Sequence, residues 1–357
     1  MSDPDPRKPL LRRILTADDN LNRLILVSLA IFAAMVALNP DSFLTLRNFV
    51  SMSYSFPELG LLALGLALCM ITGGIDLSVV GIANLTSVLA ALLMVSLLGP
   101  DSPPAMVLPV LLLAIAVALV TGVLAGWCNG MIVSRFRIHP VLVTLGTWQV
   151  FSGIAIILTK GYAVPGFPDA FLALGNGRFL GLPIPLYLFL AAAAVVALVL
   201  NRTRFGLSLF LIGTNETAAR FAGIPVRSVL VRTYMSSGFL AALAGIIMIA
   251  RTNQAKADYG ESYILQAVLV NLLAGVRWSG GYGRVTGVLL AVVTLQMLSS
   301  GFNMMRFNNF ARDFTWGVFL ILIMVANHLF TERKRRRESA AGASNPEPTP
   351  NQETPSS

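Results

Sequence analysis

Few carboxylates lie within or beside the long apolar stretches of this 357-residue chain, and three are candidates for chemistry: Glu58, Asp76 and Asp313. A charge buried in hydrocarbon is costly, so each is a candidate for function. We expect Glu58 and Asp313 to be interfacial charges at the outer surface of the membrane. Asp76 is expected to cap the helix that begins at Leu77, where a carboxylate satisfies unpaired amides. The series of membrane carboxylates typical of a proton-driven carrier is missing from this sequence.

Metal and nucleotide chemistry lack a supporting residue pattern. The only cysteines are Cys69 and Cys128, both in apolar runs, where packing is a better interpretation than a disulfide. The only histidines are His139 and His328, and no Cys/His cluster has metal-ligand spacing. No Gly-x-x-x-x-Gly-Lys-Ser/Thr motif occurs to cradle a phosphate. We therefore predict no metal site, no cofactor and no ATP hydrolysis by this chain itself.

The composition predicts an integral membrane protein. Hydrophobic residues make up 55 % of the chain and charged residues only 12 %, with a mean hydropathy of +0.74. Soluble domains carry about 25 % charged residues. The net charge is +9, but the basic residues are spread over loops, so nucleic acid is not an expected partner. The predicted fold class is an all-α, polytopic transmembrane helical bundle.

About ten apolar stretches could cross a membrane as helices. They lie at residues 24–38, 56–72, 77–98, 106–133, 140–158, 184–200, 229–250, 263–276, 285–305 and 314–329. The 263–276 stretch is short and ends in glycine-rich sequence, which predicts a broken or tilted helix.

The predicted domains are a basic N-terminus (1–23), a transmembrane domain (24–330) and a basic stop followed by a disordered tail (331–357). We expect the basic stop to meet anionic membrane lipid. With ten spans, 19 of the 26 Lys and Arg residues fall on the side of the N-terminus and seven on the other. This bias predicts that both termini are cytoplasmic.

Two junctions between apolar stretches carry a glycine pair and almost no loop. We predict structural turns there. The similarity of the two junctions is typical of the internal repeats of transporters. The turn residues are Gly73, Gly74 and Asp76 in the first junction and Gly280, Gly281 and Gly283 in the second.

The hydrophilic segment 201–232 carries five arginines and a single acid, Glu216. Residues 214–222 within it are predicted to form a short helix, capped by Thr214 or Asn215 and stopped by Gly223. At 1.5 Å per residue this helix is about 13 Å long, too short to cross a bilayer.

The composition of this short helix indicates docking. Ala218, Ala219 and Ala222 leave its flank thin, so that another surface can approach closely. We expect Glu216 and Arg220 to make polar contacts at the rim of such an interface.

The segment resembles the cytoplasmic coupling loop of ATP-binding-cassette importers, and more narrowly that of ribose-type sugar permeases, through the motif Gly213-x-Asn215-Glu216-x-Ala218-Ala219-Arg220-x-x-Gly223. The family usually has an uninterrupted Glu-Ala-Ala run, which Thr217 breaks here. Three further stretches read like that family in order: GGIDLS from Gly73, HPVLVTLGT from His139 and GGYGRVTG from Gly280. The resemblance covers roughly Leu59 to Asn327.

The resemblance implies an assembly in the bacterial inner membrane. Two permease subunits, identical or sister chains, would sit over two cytoplasmic ATPases, and a periplasmic sugar-binding protein would deliver the sugar. Closure of the ATPases would be transmitted through the 214–222 helix. The sequence leaves the particular sugar open.

Uncharged polar residues of the apolar stretches could exchange hydrogen bonds with sugar hydroxyls without a net charge. Hydrogen bonding between helices is the alternative for each of them. The candidates for the translocation pathway are Asn84, Thr144, Thr147, Gln149, Asn271 and Gln296.

Three other functions are compatible with part of the pattern. A branched-chain amino-acid permease is the nearest alternative, because it belongs to a neighbouring family. An ion-coupled secondary carrier would need intramembrane carboxylates and no docking helix. A membrane enzyme would need a catalytic constellation that is not present in the sequence.

Overall fold

The computed structural model describes residues 19–99, 102–308 and 310–325. The helices are α1 Asp19–Leu38, α2 Pro40–Phe43, α3 Leu46–Ile71, α4 Val79–Leu97, α5 Pro104–Phe136, α6 Pro140–Thr159, α7 Asp169–Asn176, α8 Ile184–Arg202, α9 Arg204–Thr214, α10 Glu216–Phe221, α11 Val226–Thr252, α12 Tyr263–Leu273 and α13 Val285–Met304, followed by α14 over residues 310–325. Strand β1 (Val164–Pro165) pairs antiparallel with β4 (Gln254–Ala255), and β2 (Arg178–Phe179) pairs antiparallel with β3 (Leu182–Pro183).

Eight helices of the described chain are long and apolar enough to cross a membrane: α1, α3, α4, α5, α6, α8, α11 and α13. The 263–276 stretch forms α12, whose eleven residues are about 16 Å long, against about 30 Å of hydrocarbon. The 314–329 stretch lies in α14 as far as residue 325, and the rest of it falls outside the described residues. The predicted all-α polytopic bundle is confirmed. The predicted basic stop and tail also fall outside the described residues.

Helices α3, α4 and α11 form the centre of the bundle, whereas α1, α5, α6 and α8 keep broad apolar faces exposed. Glycines allow α5 to approach α11 very closely. A Cβ added to Gly130 would lie 2.7 Å from the Cα of Val231, and one added to Gly126 would lie 2.8 Å from the carbonyl carbon of Tyr234. Small residues at such crossings let helices pack closely within a membrane, where no hydrophobic force drives them together.

Helix α3 begins ten residues before the predicted stretch 56–72. The side chain of Thr45 accepts a hydrogen bond from the backbone amide of Asn48 (3.3 Å) and so caps its start. Glu58 is therefore in the middle of a 26-residue helix, and it is fully buried. The prediction that Glu58 is an interfacial charge is wrong, because the polar residues before it continue the helix instead of forming a loop.

The two ends of α11 carry different structures. The short helices α9 and α10 lie next to its N-terminal end, which we call the coupling end. At the other end, the distal end, the amide of Asn176 donates to the Ala250 carbonyl (3.0 Å) and the backbone amide of Phe167 donates to the side-chain oxygen of Asn253 (3.0 Å). The connection between α6 and α8 thereby covers the distal end of α11.

Candidate coupling site

Helix α10 corresponds to the predicted docking helix, with bounds Glu216–Phe221 instead of 214–222. The side-chain oxygen of Asn215 accepts from the backbone amide of Ala218 (2.9 Å), so Asn215 is the cap. Thr214 is instead the last residue of α9. Glu216 is in the first turn, where the helix dipole stabilises its carboxylate. The carboxylate also pairs with Arg220 at 2.6 Å.

The end of α10 follows the predicted glycine stop. Gly223 has a φ of +78°, a conformation that glycine adopts without strain. Its amide donates to the Arg220 carbonyl (3.0 Å), and the amide of Ile224 donates to the Ala219 carbonyl (3.1 Å). These two bonds form a Schellman motif, which satisfies the last carbonyls of the helix.

The exposed face of α10 differs from the expected alanine flank. Ala219 is only 4 % exposed and packs within its own chain, whereas Phe221 is 90 % exposed. Sequence reasoning missed Phe221. Its signal is a single large aromatic residue placed between an alanine-rich helix and its glycine stop. The exposed surface of α10 therefore includes Phe221, Ala218 and the Glu216–Arg220 pair. A coupling role for these residues and for Ala219 stays a prediction.

Helix α9 was also missed, because residues 201–213 were interpreted as a hydrophilic segment. Thr203 caps it by accepting from the amide of Gly206 (3.1 Å). Leu209 and Ile212 are buried, so α9 packs one face against the bundle. Its last turn brings Gly213 close to the two turns that carry a glycine pair, at Gly73 and at Gly280.

The structure brings together three motifs that the sequence presents separately. We call the cluster of Gly73, Gly213, Gly280 and Gly281 the glycine junction. The amide of Gly281 donates to the Ile71 carbonyl (2.9 Å). A Cβ added to Gly280 would lie 2.7 Å from the nitrogen of Gly73 and 2.8 Å from the Cα of Gly213.

A Cβ on Gly213 would overlap the Ile71 carbonyl oxygen and the Gly281 nitrogen. Here glycine is required by the close approach of three backbones. The other predicted turn glycines pack against side chains: a Cβ on Gly74 would lie 2.7 Å from the Tyr234 hydroxyl, and one on Gly283 would lie 2.9 Å from Ile71. The last turn of α9 thus contacts the backbone of both the α3–α4 turn and the α12–α13 turn.

Asp76 stabilises the α3–α4 turn from inside. One carboxylate oxygen accepts from the amide (3.1 Å) and hydroxyl (2.6 Å) of Ser78, and the other accepts from the Ser237 hydroxyl (2.8 Å). Helix α4 begins at Val79, so Asp76 holds the turn before the helix instead of capping it at Leu77. Asp76 is fully buried, and its hydrogen-bond partners in the described chain are neutral.

The predicted pathway residues are not gathered at one place. Thr144 bonds the Ile75 carbonyl (3.1 Å), Asn84 bonds the Ala257 carbonyl (2.9 Å) and Asn271 bonds the Ala63 carbonyl (2.9 Å). Their polar groups serve helix and turn packing in this conformation.

The other three pathway candidates are more accessible. Thr147 is half-buried and Gln149 is exposed on α6, and Gln296 lines a cavity at the distal end. A pathway role for any of the six stays a prediction.

The eight apolar helices of the described chain, with the short capped helix α10 beside them, define a multi-pass membrane protein. Residues 48–326 match the family described as "Branched-chain amino acid transport system / permease component". The chain belongs to this permease family. It is a multi-pass protein of the cell's inner membrane.

Curated relatives match over most of their length. The chain is 33 % identical over 301 residues to the ribose import permease protein RbsC of Bacillus subtilis (strain 168), covering 84 % of this chain and 90 % of that one. It is 30 % identical to RbsC of Haemophilus influenzae, covering 86 % and 93 %. It is 31 % identical to the autoinducer 2 import system permease protein LsrD of Escherichia coli (strain K12), covering 88 % and 94 %. No solved structure matches the chain.

Proposed function

We propose that this chain is the transmembrane permease subunit of a bacterial ATP-binding-cassette importer that carries a sugar across the inner membrane. The relatives named above are permeases for ribose and autoinducer 2, which favours a sugar over a branched-chain amino acid. ATP is hydrolysed by a separate cytoplasmic subunit, a periplasmic binding protein delivers the sugar, and a second permease subunit completes the membrane part.

The glycine junction is the observation that carries the mechanism. Helix α9 passes directly into α10 through Asn215. It rests backbone to backbone on Ile71, at the end of α3, and on the turn at Gly280 and Gly281, and Gly280 in turn lies against Gly73. No side chains lie between these backbones to absorb a displacement by changing rotamer. A movement imposed on α10 by an ATPase is therefore passed to α3, α4, α12 and α13 together, as in a rigid-body transition between two states.

We propose the orientation in which α9 and α10 face the cytoplasm. The excess of Lys and Arg on this side supports it. A reporter fused after Asn201 should be active only if it is a cytoplasmic reporter. Activity of a periplasmic reporter at that position would contradict both the orientation and the coupling role of α10.

The test of the coupling role is the substitution Phe221→Ala. An exposed aromatic that anchors an interface costs about 2–4 kcal/mol when truncated, which weakens binding at least about 30-fold. We expect normal abundance in the membrane, because Phe221 is 90 % exposed, together with loss of the ATPase on purification and loss of sugar uptake.

Phe310→Ala is the matched control. Phe310 is 85 % exposed but belongs to α14, away from α10. We expect this variant to retain both the ATPase and uptake. Undiminished co-purification and uptake with Phe221→Ala would mean that α10 is not the docking element.

A further inference from the structure

A cavity of about 360 Å³ opens at the distal end of the bundle, far from α10. Its lining comes from α3, the end of α11, the α11–α12 connection, α12, α13 and α14. The volume falls in the range of about 300–1,000 Å³ that is usual for small-molecule sites. The cavity is large enough for one small solute and has no part in the contacts of the coupling end.

A buried ion pair forms the floor of this cavity. The guanidinium of Arg251 donates to both carboxylate oxygens of Glu58, through Nε at 2.6 Å and Nη2 at 3.1 Å. The Tyr263 hydroxyl donates to Glu58 (3.3 Å), and Arg251 donates to the Ser55 hydroxyl (3.3 Å). Glu58 is completely covered, whereas the Arg251 side chain is 23 % exposed. The guanidinium is thus held in one orientation with an edge towards the cavity.

The charges of the lining balance. Arg251 is neutralised by Glu58, and Arg312 and Asp313 follow each other on the wall formed by α14. The lining therefore carries no net charge that would favour a phosphorylated sugar or a cation. The lining fits a neutral ligand.

Two carboxamides on the wall have hydrogen-bonding groups to spare. Gln266 of α12 and Gln296 of α13 are half-buried, and neither side chain bonds to another residue of the described chain. Each offers two donors and an acceptor in one plane. Tyr259 also lines the cavity, and its hydroxyl is a donor at neutral pH. A branched-chain amino acid would instead need an apolar pocket, which this lining does not provide.

We propose that this distal cavity is a binding site for a neutral, polyhydroxylated solute of monosaccharide size, with Gln266 and Gln296 bonding its hydroxyls above the Arg251–Glu58 pair. The proposal rests on the proposed function and adds a defined place at which the solute binds on its route. Of the predicted pathway residues, it gives Gln296 a defined role.

The experiment uses the complete transporter in vesicles, with its ATPase and its sugar-loaded binding protein. Gln266→Leu and Gln296→Leu remove the amides while keeping a similar volume. We expect the maximal uptake rate of labelled sugar to fall at least tenfold in the double variant. ATP hydrolysis, and the concentration of loaded binding protein that half-stimulates it, should stay within twofold of the unmodified complex. Gln296→Asn, which keeps the amide, should lie between.

Gln254→Leu is the matched control, because Gln254 is also half-buried at the distal end but does not line the cavity. It should transport normally. Normal sugar transport per ATP in the Gln266→Leu/Gln296→Leu variant would overturn the cavity as a sugar site and leave the proposed function intact. Absence of sugar-stimulated hydrolysis in the unmodified complex would instead overturn the proposed function itself.

Discussion

The coupling end and the distal end of the bundle are held together by different kinds of contact. At the coupling end, Gly213 lies against the backbones of Ile71 and Gly281, and Gly280 lies against the backbone of Gly73. At the distal end, the contacts are made by side chains, above all by the Glu58–Arg251 pair. Contacts between backbones can transmit a displacement but give no ligand selectivity. Polar side chains can determine which ligand binds. The comparison supports the proposal that the coupling end transmits the movement imposed by the ATPase and that the distal end binds the solute.

The two buried carboxylates, Glu58 and Asp76, also differ in their hydrogen-bond partners. Glu58 has a guanidinium partner (2.6 Å), and removing that partner leaves an isolated charge in the core. Asp76 has only the hydroxyls of Ser78 and Ser237 and a backbone amide. Its role is to fix a turn, and the Asn129 amide extends the network by donating to Ser78 (2.7 Å).

The largest effect is expected from Arg251→Met at the distal end. Breaking a buried ion pair from one side costs about 3–5 kcal/mol, because the remaining charge is uncompensated. We expect a strong loss of membrane abundance and a lower midpoint of thermal unfolding in detergent.

The double variant Glu58→Gln/Arg251→Met removes both charges and should recover most of the abundance but not sugar uptake. If Arg251→Met accumulates and unfolds like the unmodified protein, the ion pair has no structural role, and the comparison between the two ends loses its basis.

A smaller effect is expected from Gly223→Val at the coupling end. A residue with a side chain costs about 1–2 kcal/mol in the left-handed conformation, and valine is stiffer than most. The end of α10 should loosen and the ATPase should bind about tenfold more weakly, with abundance unchanged. Gly223→Asn is the control, since asparagine tolerates this conformation. Equal ATPase affinity for the two variants would show that the Schellman motif does not position α10.

Local signals in the sequence predicted the parts of the molecule that depend on neighbouring residues. The stop at Gly223 and the turns at Gly73 and Gly280 follow from the conformations that these residue types prefer. The cap was narrowed to Thr214 or Asn215, of which Asn215 is the cap. Contacts between distant segments carry no such signal. The ion pair between Glu58 and Arg251 joins residues 193 positions apart. It was not predicted because α3 begins before its apolar stretch, so Glu58 was placed at the end of a helix instead of in its middle.

The orientation of a short helix is equally hard to read from sequence. Small residues in α10 are compatible with facing either a partner or the chain itself, and Ala219 faces the chain. Helix α9 was missed because residues 201–232 were interpreted as one arginine-bearing loop, which masked the apolar face formed by Leu209 and Ile212. The distal cavity has no sequence signature, because its lining is assembled from five separate segments of the chain.

The most direct measurement of the central claim is the ratio of sugar transported to ATP hydrolysed for Gly213→Ala, in vesicles that contain the complete transporter. The added methyl group would force α9 away from Ile71 and Gly281, while α10 and its exposed face are unchanged. We predict that the ATPase still binds and hydrolyses ATP and that transport per ATP falls at least tenfold. Gly153→Ala, whose Cβ meets no described atom within 4 Å, should keep the original ratio. An unchanged ratio in Gly213→Ala would contradict the claim that the glycine junction couples the two ends.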